Sequence, residues 1–246
     1  MINKMSKKLR FFLSHLSVSL LIAFLALLLV FIFWYPYPLV QAVGVTHLFL
    51  MMLAIDMIVG PVLGFIVYKE GKKSLKMDLS VIIILQLIAL GFGVYSIEQG
   101  RPAWLVYNVD RFELVRKNEL ITEHLDQAKT QFQKTSFLRP QYVSVEFSKD
   151  KLQRENDMFA EALGGISIAQ KPERYVEFTK ALSQIKKRMI QLKELEQFND
   201  HEHVREILVK YPQATGYVPL KANAIDMTVL VNKEGEVVKI VDLRPW

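Results

Sequence analysis

Asp56 is the one acidic side chain in the apolar stretch 45–68, and with Gln86 in the stretch 79–96 it is the first place to look for chemistry. An ionised carboxylate at the centre of a membrane span costs a few kcal/mol or more, so Asp56 is expected to face other helices. Pro61 frees the Met57 carbonyl and kinks the chain just beyond the acid. Gly60 and Gly64 make a small-residue face for close helix approach. Ser17, Ser19 and Gln86 are the polar residues that could meet Asp56. Two uses stay open: Asp56, Gly60, Pro61, Gly64 and Gln86 form a packing and hinge site, or Asp56 has a charge-dependent task. Proteolysis by paired aspartates fails, because the two carboxylates must share a site. Asp78 lies about 18 Å away along a regular helix axis, and no Gly-x-Gly-Asp signature occurs.

Asp200-His201-Glu202-His203 has ligand types for a metal, but positions two apart diverge on a helix and no third ligand is spaced to join them. Asp200 reads instead as a helix cap. His15 and His47 fall near the expected membrane interfaces. There is no cysteine, so thiol catalysis and disulfides are excluded. No Gly-x-Ser-x-Gly, phosphate-binding loop or dinucleotide fingerprint is present. The expectation is a chain with no catalytic residues, no metal site and no cofactor.

Three apolar runs, 16–34, 45–68 and 79–96, position these groups. Each is long enough to cross a bilayer, which takes about 20 helical residues. Lys4, Lys7, Lys8 and Arg10 precede the first, and Lys69, Lys72, Lys73 and Lys76 separate the second from the third. The connection 35–44 carries no charge. The N-terminus is therefore expected in the cytoplasm and residues 97–246 outside. A cleaved signal peptide does not fit, because the first run exceeds the usual 7–15 residues of such a segment. Residues 97–246 hold 23 Lys and Arg against 22 Asp and Glu. The net charge of +6 is thus mostly topological, and it fits contact with anionic lipid rather than nucleic acid.

Two domains follow: a three-helix anchor at 1–96 and an α+β domain at 97–246 in which long helices cover a small sheet. The expected order is β-α-β-α-α-β-β. Residues 104–109 and 112–115 read as strands, 121–133 as helix, 142–147 as a strand of period two, and 148–163 as helix ended by Gly164-Gly165. From 172 to 199, Tyr175, Phe178, Leu182, Ile185, Met189 and Leu192 recur at 3,4 spacing, the seam of an amphipathic helix. That seam either packs on its own sheet or receives a partner. A short helix at 201–209 and a hairpin, 227–231 with 237–241 around Glu234-Gly235, complete the domain. Asp110, Arg111 and Phe112 are either a local turn or a contact point close to the membrane.

Several segments carry a family resemblance. Ile55-Asp56-Met57 through Gly60-Pro61, the 72–80 connection, Val109-Asp110-Arg111-Phe112-Glu113, Tyr217-Val218-Pro219-Leu220, Asp226-Met227-Thr228-Val229-Leu230 and the terminal Asp242-Leu243-Arg244-Pro245-Trp246 resemble the TfpX/TfpZ family of type IV pilin accessory proteins. Residues 120–210 resemble it only in helical character. The resemblance implies a multi-pass protein of the bacterial inner membrane with a periplasmic domain. Such a protein would act as a chaperone-like factor that binds a cognate type IV pilin and promotes its assembly, without enzymatic activity. Self-association is a further use of the seam. The alternative reading is a membrane-anchored periplasmic ligand-binding sensor that works through a partner.

Overall fold

A computed structural model describes residues 6–246; Lys4, one of the flanking cations, lies outside the described residues. The chain divides into two compact units, one comprising the chain up to Phe33 and Val45–Gln99, the other Trp34–Gly44 and Gly100–Trp246.

In the helical unit, α1 (Lys7–Leu28) starts at Ser6, whose hydroxyl accepts from the Leu9 N–H at 3.3 Å, and runs on into a π-helical stretch, Leu29–Trp34. Lys7, Lys8 and Arg10 are good helix formers behind a serine cap, so the helix begins nine residues before the apolar run does. A short α2 (Leu39–Val43) belongs to the other unit. Helices α3 (Thr46–Val67) and α4 (Leu75–Gln99) follow, and α3 packs on both α1 and α4. Among the described residues α1 with its extension, α3 and α4 are long and apolar enough to cross a membrane. Phe11 against Tyr68 and Phe12 against Phe65 join α1 to the end of α3.

The sheet unit contains β1 (Pro102–Asn108), β2 (Arg111–Arg116), β3 (Gln141–Val145), α5 (Lys151–Gly164), β4 (Tyr175–Glu177), α6 (Leu182–Arg188), α7 (His201–Val209), β5 (Gly216–Lys221), β6 (Met227–Val231) and β7 (Val237–Val241). Among the described residues the strands form one mixed sheet in the order β4-β3-β1-β2-β5-β6-β7, curved into a half-barrel. Pairs β1/β3 and β2/β5 are parallel and the others antiparallel. Every residue of β1 is buried, because both faces of the sheet are covered. Leu105, Phe112, Leu220 and Val229 face Ile185 of α6 and Leu39 and Ala42 of α2. On the opposite side Trp104 stacks edge-on against Phe132 and Tyr175, and Tyr217 and Leu230 meet Leu195 and Val204.

The membrane helices, the β1/β2 pair, β3, α5, α7 and the β6/β7 hairpin lie where the sequence places them. Three readings are corrected. The sheet has seven strands rather than being small, and along the chain the order is β-β-β-α-β-α-α-β-β-β rather than β-α-β-α-α-β-β. Residues 121–133 form only 3₁₀ turns at Leu125–Gln127 and Thr130–Phe132, because Phe132 is drawn into the core and the Ile121 N–H bonds the Gln170 carbonyl at 2.8 Å. The helix expected over 172–199 is broken into a 3₁₀ turn at Pro172–Arg174, β4, a second 3₁₀ turn, α6 and a third 3₁₀ stretch. Its backbone is claimed from both ends: β3 takes 175–177 as a strand, and Ile190 exchanges two hydrogen bonds with Tyr217 at 2.8 and 2.9 Å. Tertiary pairing overrides a helical period made partly of aromatic and β-branched residues.

Candidate functional site

Phe11, His15 and Ser19 recur every four residues along α1, and Asp56, Gly60 and Gly64 do the same along α3. The spacing stacks each set on one helix face. Gln86 of α4 enters between them. Its amide nitrogen donates to Ser19 Oγ at 3.2 Å and to the Asp56 main-chain carbonyl at 2.7 Å, and its oxygen lies 3.0 Å from His15 Nε2. An amide oxygen only accepts, so His15 donates to it from Nε2. One glutamine thus ties three helices together with all three of these bonds.

Gly60 is what admits it. A Cβ at position 60 would lie 1.8 Å from Gln86 Oε1, whereas one at Gly64 would meet the edge of the Phe11 ring at 2.9 Å. Pro61 is buried inside α3. The small-residue face is therefore filled by the bundle's own side chains. Ser17, the other serine considered, turns back to the Leu13 carbonyl at 2.8 Å. Asp78 is engaged elsewhere, with Lys72 at 2.7 Å.

Beside the cluster lies a cavity of about 260 Å³ lined by Ser14, Val18, Leu53, Asp56, Ile83 and Leu90, among others. Asp56 Oδ2 and His15 Nδ1 are buried without a hydrogen-bond partner. A mostly apolar hollow with a few convergent polar atoms is suited to binding. What it can do chemically is exchange hydrogen bonds with a polar group that enters it. Among the described residues no three His, Asp or Glu side chains converge as metal ligands.

In the sheet unit the sequence-picked residues scatter. Asp110 is the exposed tip of the β1/β2 turn, where its N–H bonds the Asn108 carbonyl at 2.7 Å. Arg111 lies within 4 Å of carboxylates of Asp110, Glu113 and Glu161. Phe112 is fully buried. Tyr175 belongs to the core on one side of the sheet, donating to the Ala169 carbonyl at 2.5 Å. Phe178, Ile185 and Met189 belong to the core on the other side, with Leu182 half-buried nearby, and Leu192 joins the cluster around Tyr217. They form no common surface. Asp200 accepts from the His203 N–H at 3.0 Å and caps α7.

Sequence reasoning missed His15, assigning it to an interface. The available signal was its four-residue spacing from Ser19. It also missed residues 34–44, which the boundary at 96 groups with the anchor. They pack in the sheet unit, where the Ala42 carbonyl accepts from the Ala224 N–H at 2.9 Å.

Residues 3–44 match the family model described as Fimbrial assembly protein FimB. Over 175 residues, 70% of this chain and 68% of the relative, the chain is 32% identical to the fimbrial assembly protein of serogroup I from Dichelobacter nodosus. It is 30% identical over 175 residues, again 70% and 68%, to that of serogroup E1 from the same organism. With that of serogroups C1 and C2 it shares 35% over 116 residues, 46% of this chain and 88% of the relative. No solved structure matches the chain.

Proposed function

Because the chain belongs to the FimB family of fimbrial assembly proteins, we propose that it is an inner-membrane accessory factor that binds a cognate type IV pilin and promotes its assembly into the pilus. The observation that carries this reading is the match over 175 residues, which spans both units rather than the anchor alone. The resemblance to TfpX/TfpZ accessory proteins at 55–61, 109–113 and the terminal Asp-Leu-Arg-Pro-Trp supports the same role.

The factor acts by holding rather than by chemistry. Its N-terminus is cytoplasmic and its sheet unit periplasmic, as the lysines at 69–76 and the uncharged 35–44 connection favour. A pilin, which by family resemblance carries a hydrophobic N-terminal helix and an outer head, would lay that helix along the cleft holding His15, Asp56 and Gln86. Polar side chains on the pilin helix would partner Asp56 Oδ2 and His15 Nδ1, groups that gain from any partner in lipid. The test is a deletion strain together with in-cell photocrosslinking from both units, blotted for pilin. Loss of surface pili with pilin still synthesised, and a pilin adduct, are expected. Normal piliation without an adduct would overturn the reading and favour a ligand-binding sensor.

A further inference from the structure

The half-barrel is open along one seam. There β7 pairs with β6 on one side and has no strand on the other, among the described residues. A groove of about 490 Å³ follows this edge, with Leu39, Leu105, Tyr142 and Phe178 in its wall. Val237 and Ile240 pack with the core on one sheet face and Val238 with the cluster on the other, yet all of 237–240 line the groove. Neighbouring strand residues point to opposite faces, so a hollow touched by four in a row runs along the strand's edge. Val238 is the extra residue of a bulge and has no partner on β6. Bulges recur at edges and next to binding sites.

The charges at the groove have one sign. Arg139 and Lys239 are exposed on its rim, no acidic residue lines it, and neither cation is paired with an acid among the described residues. A lysine on an edge strand also blocks pairing between copies, since two β7 edges meeting at their centres would set Lys239 against Lys239. A second copy is disfavoured for that reason, and an anionic strand is favoured.

We propose that this groove receives an extended, carboxylate-bearing segment of the assembly partner, added to β7 as an eighth strand. Its main chain would pair with the free edge, an apolar side chain would enter the wall beside Phe178 and Tyr142, and its carboxylates would meet Arg139 and Lys239. The identity of the partner rests on the pilin reading; the chemistry of the segment does not.

The test uses the full chain in lipid nanodiscs and two fluorescent eight-residue peptides of alternating Val and Thr, one ending in Asp-Asp and one in Lys-Lys, read by anisotropy. The acidic peptide should bind. The double variant Arg139→Glu/Lys239→Glu should weaken it by about tenfold or more, the loss expected from charge-assisted hydrogen bonds, and should now bind the basic peptide. Val238→Pro, at an edge position that tolerates proline, should weaken binding with no change of charge. Far-ultraviolet circular dichroism and melting temperature verify that each variant is folded. Equal binding of both peptides, or indifference to charge reversal, overturns the groove. If the double variant still assembles pili and crosslinks pilin normally, the groove falls and the assembly reading stands. If the acidic peptide binds but purified pilin head does not compete, the groove stands and pilin is excluded as its occupant.

Discussion

Gln86 makes three hydrogen bonds to two other helices from one amide, and its position exists only because residue 60 has no side chain. Gly60→Ala should therefore expel it. With hydrogen bonds between membrane helices at about 0.6 kcal/mol on average and up to about 2, the loss should be about 1–3 kcal/mol. Gly64→Ala should do less, since the Phe11 ring can swing aside. Asp56→Asn should be mild, because Gln86 uses the main-chain carbonyl at 56 rather than the side chain. Unfolding in detergent measures all three, and a Gly60→Ala protein as stable as the parent would show that Gln86 has another seat. Glu119 titrates at the same scale. Burial pushes its carboxyl up, but hydrogen bonds from Arg116 and Asn223 outweigh that and hold it below its ordinary 4.5. A depressed carboxyl stabilises the fold above its unfolded value and loses that contribution as pH falls. Stability should fall as pH drops from about 5 through the lowered folded value, and less steeply in Glu119→Gln. Denaturant midpoints across that range decide it, with equal slopes counting against the assignment.

Helix α5 is held by its polar face. Asp157 is almost fully buried and accepts from Lys171 at 2.6 Å and Arg174 at 3.0 Å, while Leu152, Phe159 and Leu163 remain exposed. Removing one member of a buried network strands the others, so Asp157→Ala should cost about 3 kcal/mol or more, whereas Leu163→Ala should stay within about 0.5 kcal/mol as a surface change. Comparable effects of the two on the melting temperature would mean that α5 is not anchored through Asp157. The same helix shows what sequence pattern conveys. Its end was legible from Gly164 and Gly165, as were α7 from Asp200 and the terminal hairpin from Gly235, because caps and turns are local, whereas its start, capped by Asp150, falls three residues after the 148 that the sequence suggests. The segment 175–197 was not, since its conformation is decided by β3 and by Tyr217, the latter more than 20 residues further on. The candidate site divides the same way. Asp56, Ser19 and Gln86 stand out as polar residues in apolar runs, but the groove beside β7 is assembled from α2, β1, β3 and β7, and no single stretch announces it.

Residues 34–44 give the whole molecule a constraint that the spans alone do not. They connect the first two membrane helices, yet they pack in one compact unit with residues 100–246, placing Leu39 and Ala42 against the half-barrel core. If the three long helices each cross a membrane, the connection after α1 and the chain after α4, being parts of one unit, lie on the same side of it, and the 69–73 connection lies on the other. This agrees with the charge pattern while resting on packing instead of on lysines. The chain has no cysteine, so single cysteines report topology without a background. Tyr37→Cys and Glu234→Cys, both at exposed positions, should react with a membrane-impermeant maleimide once the outer membrane is opened. Lys73→Cys should react only after the inner membrane is also permeabilised. If positions 37 and 234 labelled from opposite sides, the shared unit would be excluded. If both labelled only after the inner membrane is permeabilised, the unit would stand while the orientation inverted, and a groove facing the cytoplasm would have no access to the outer part of a membrane-held pilin.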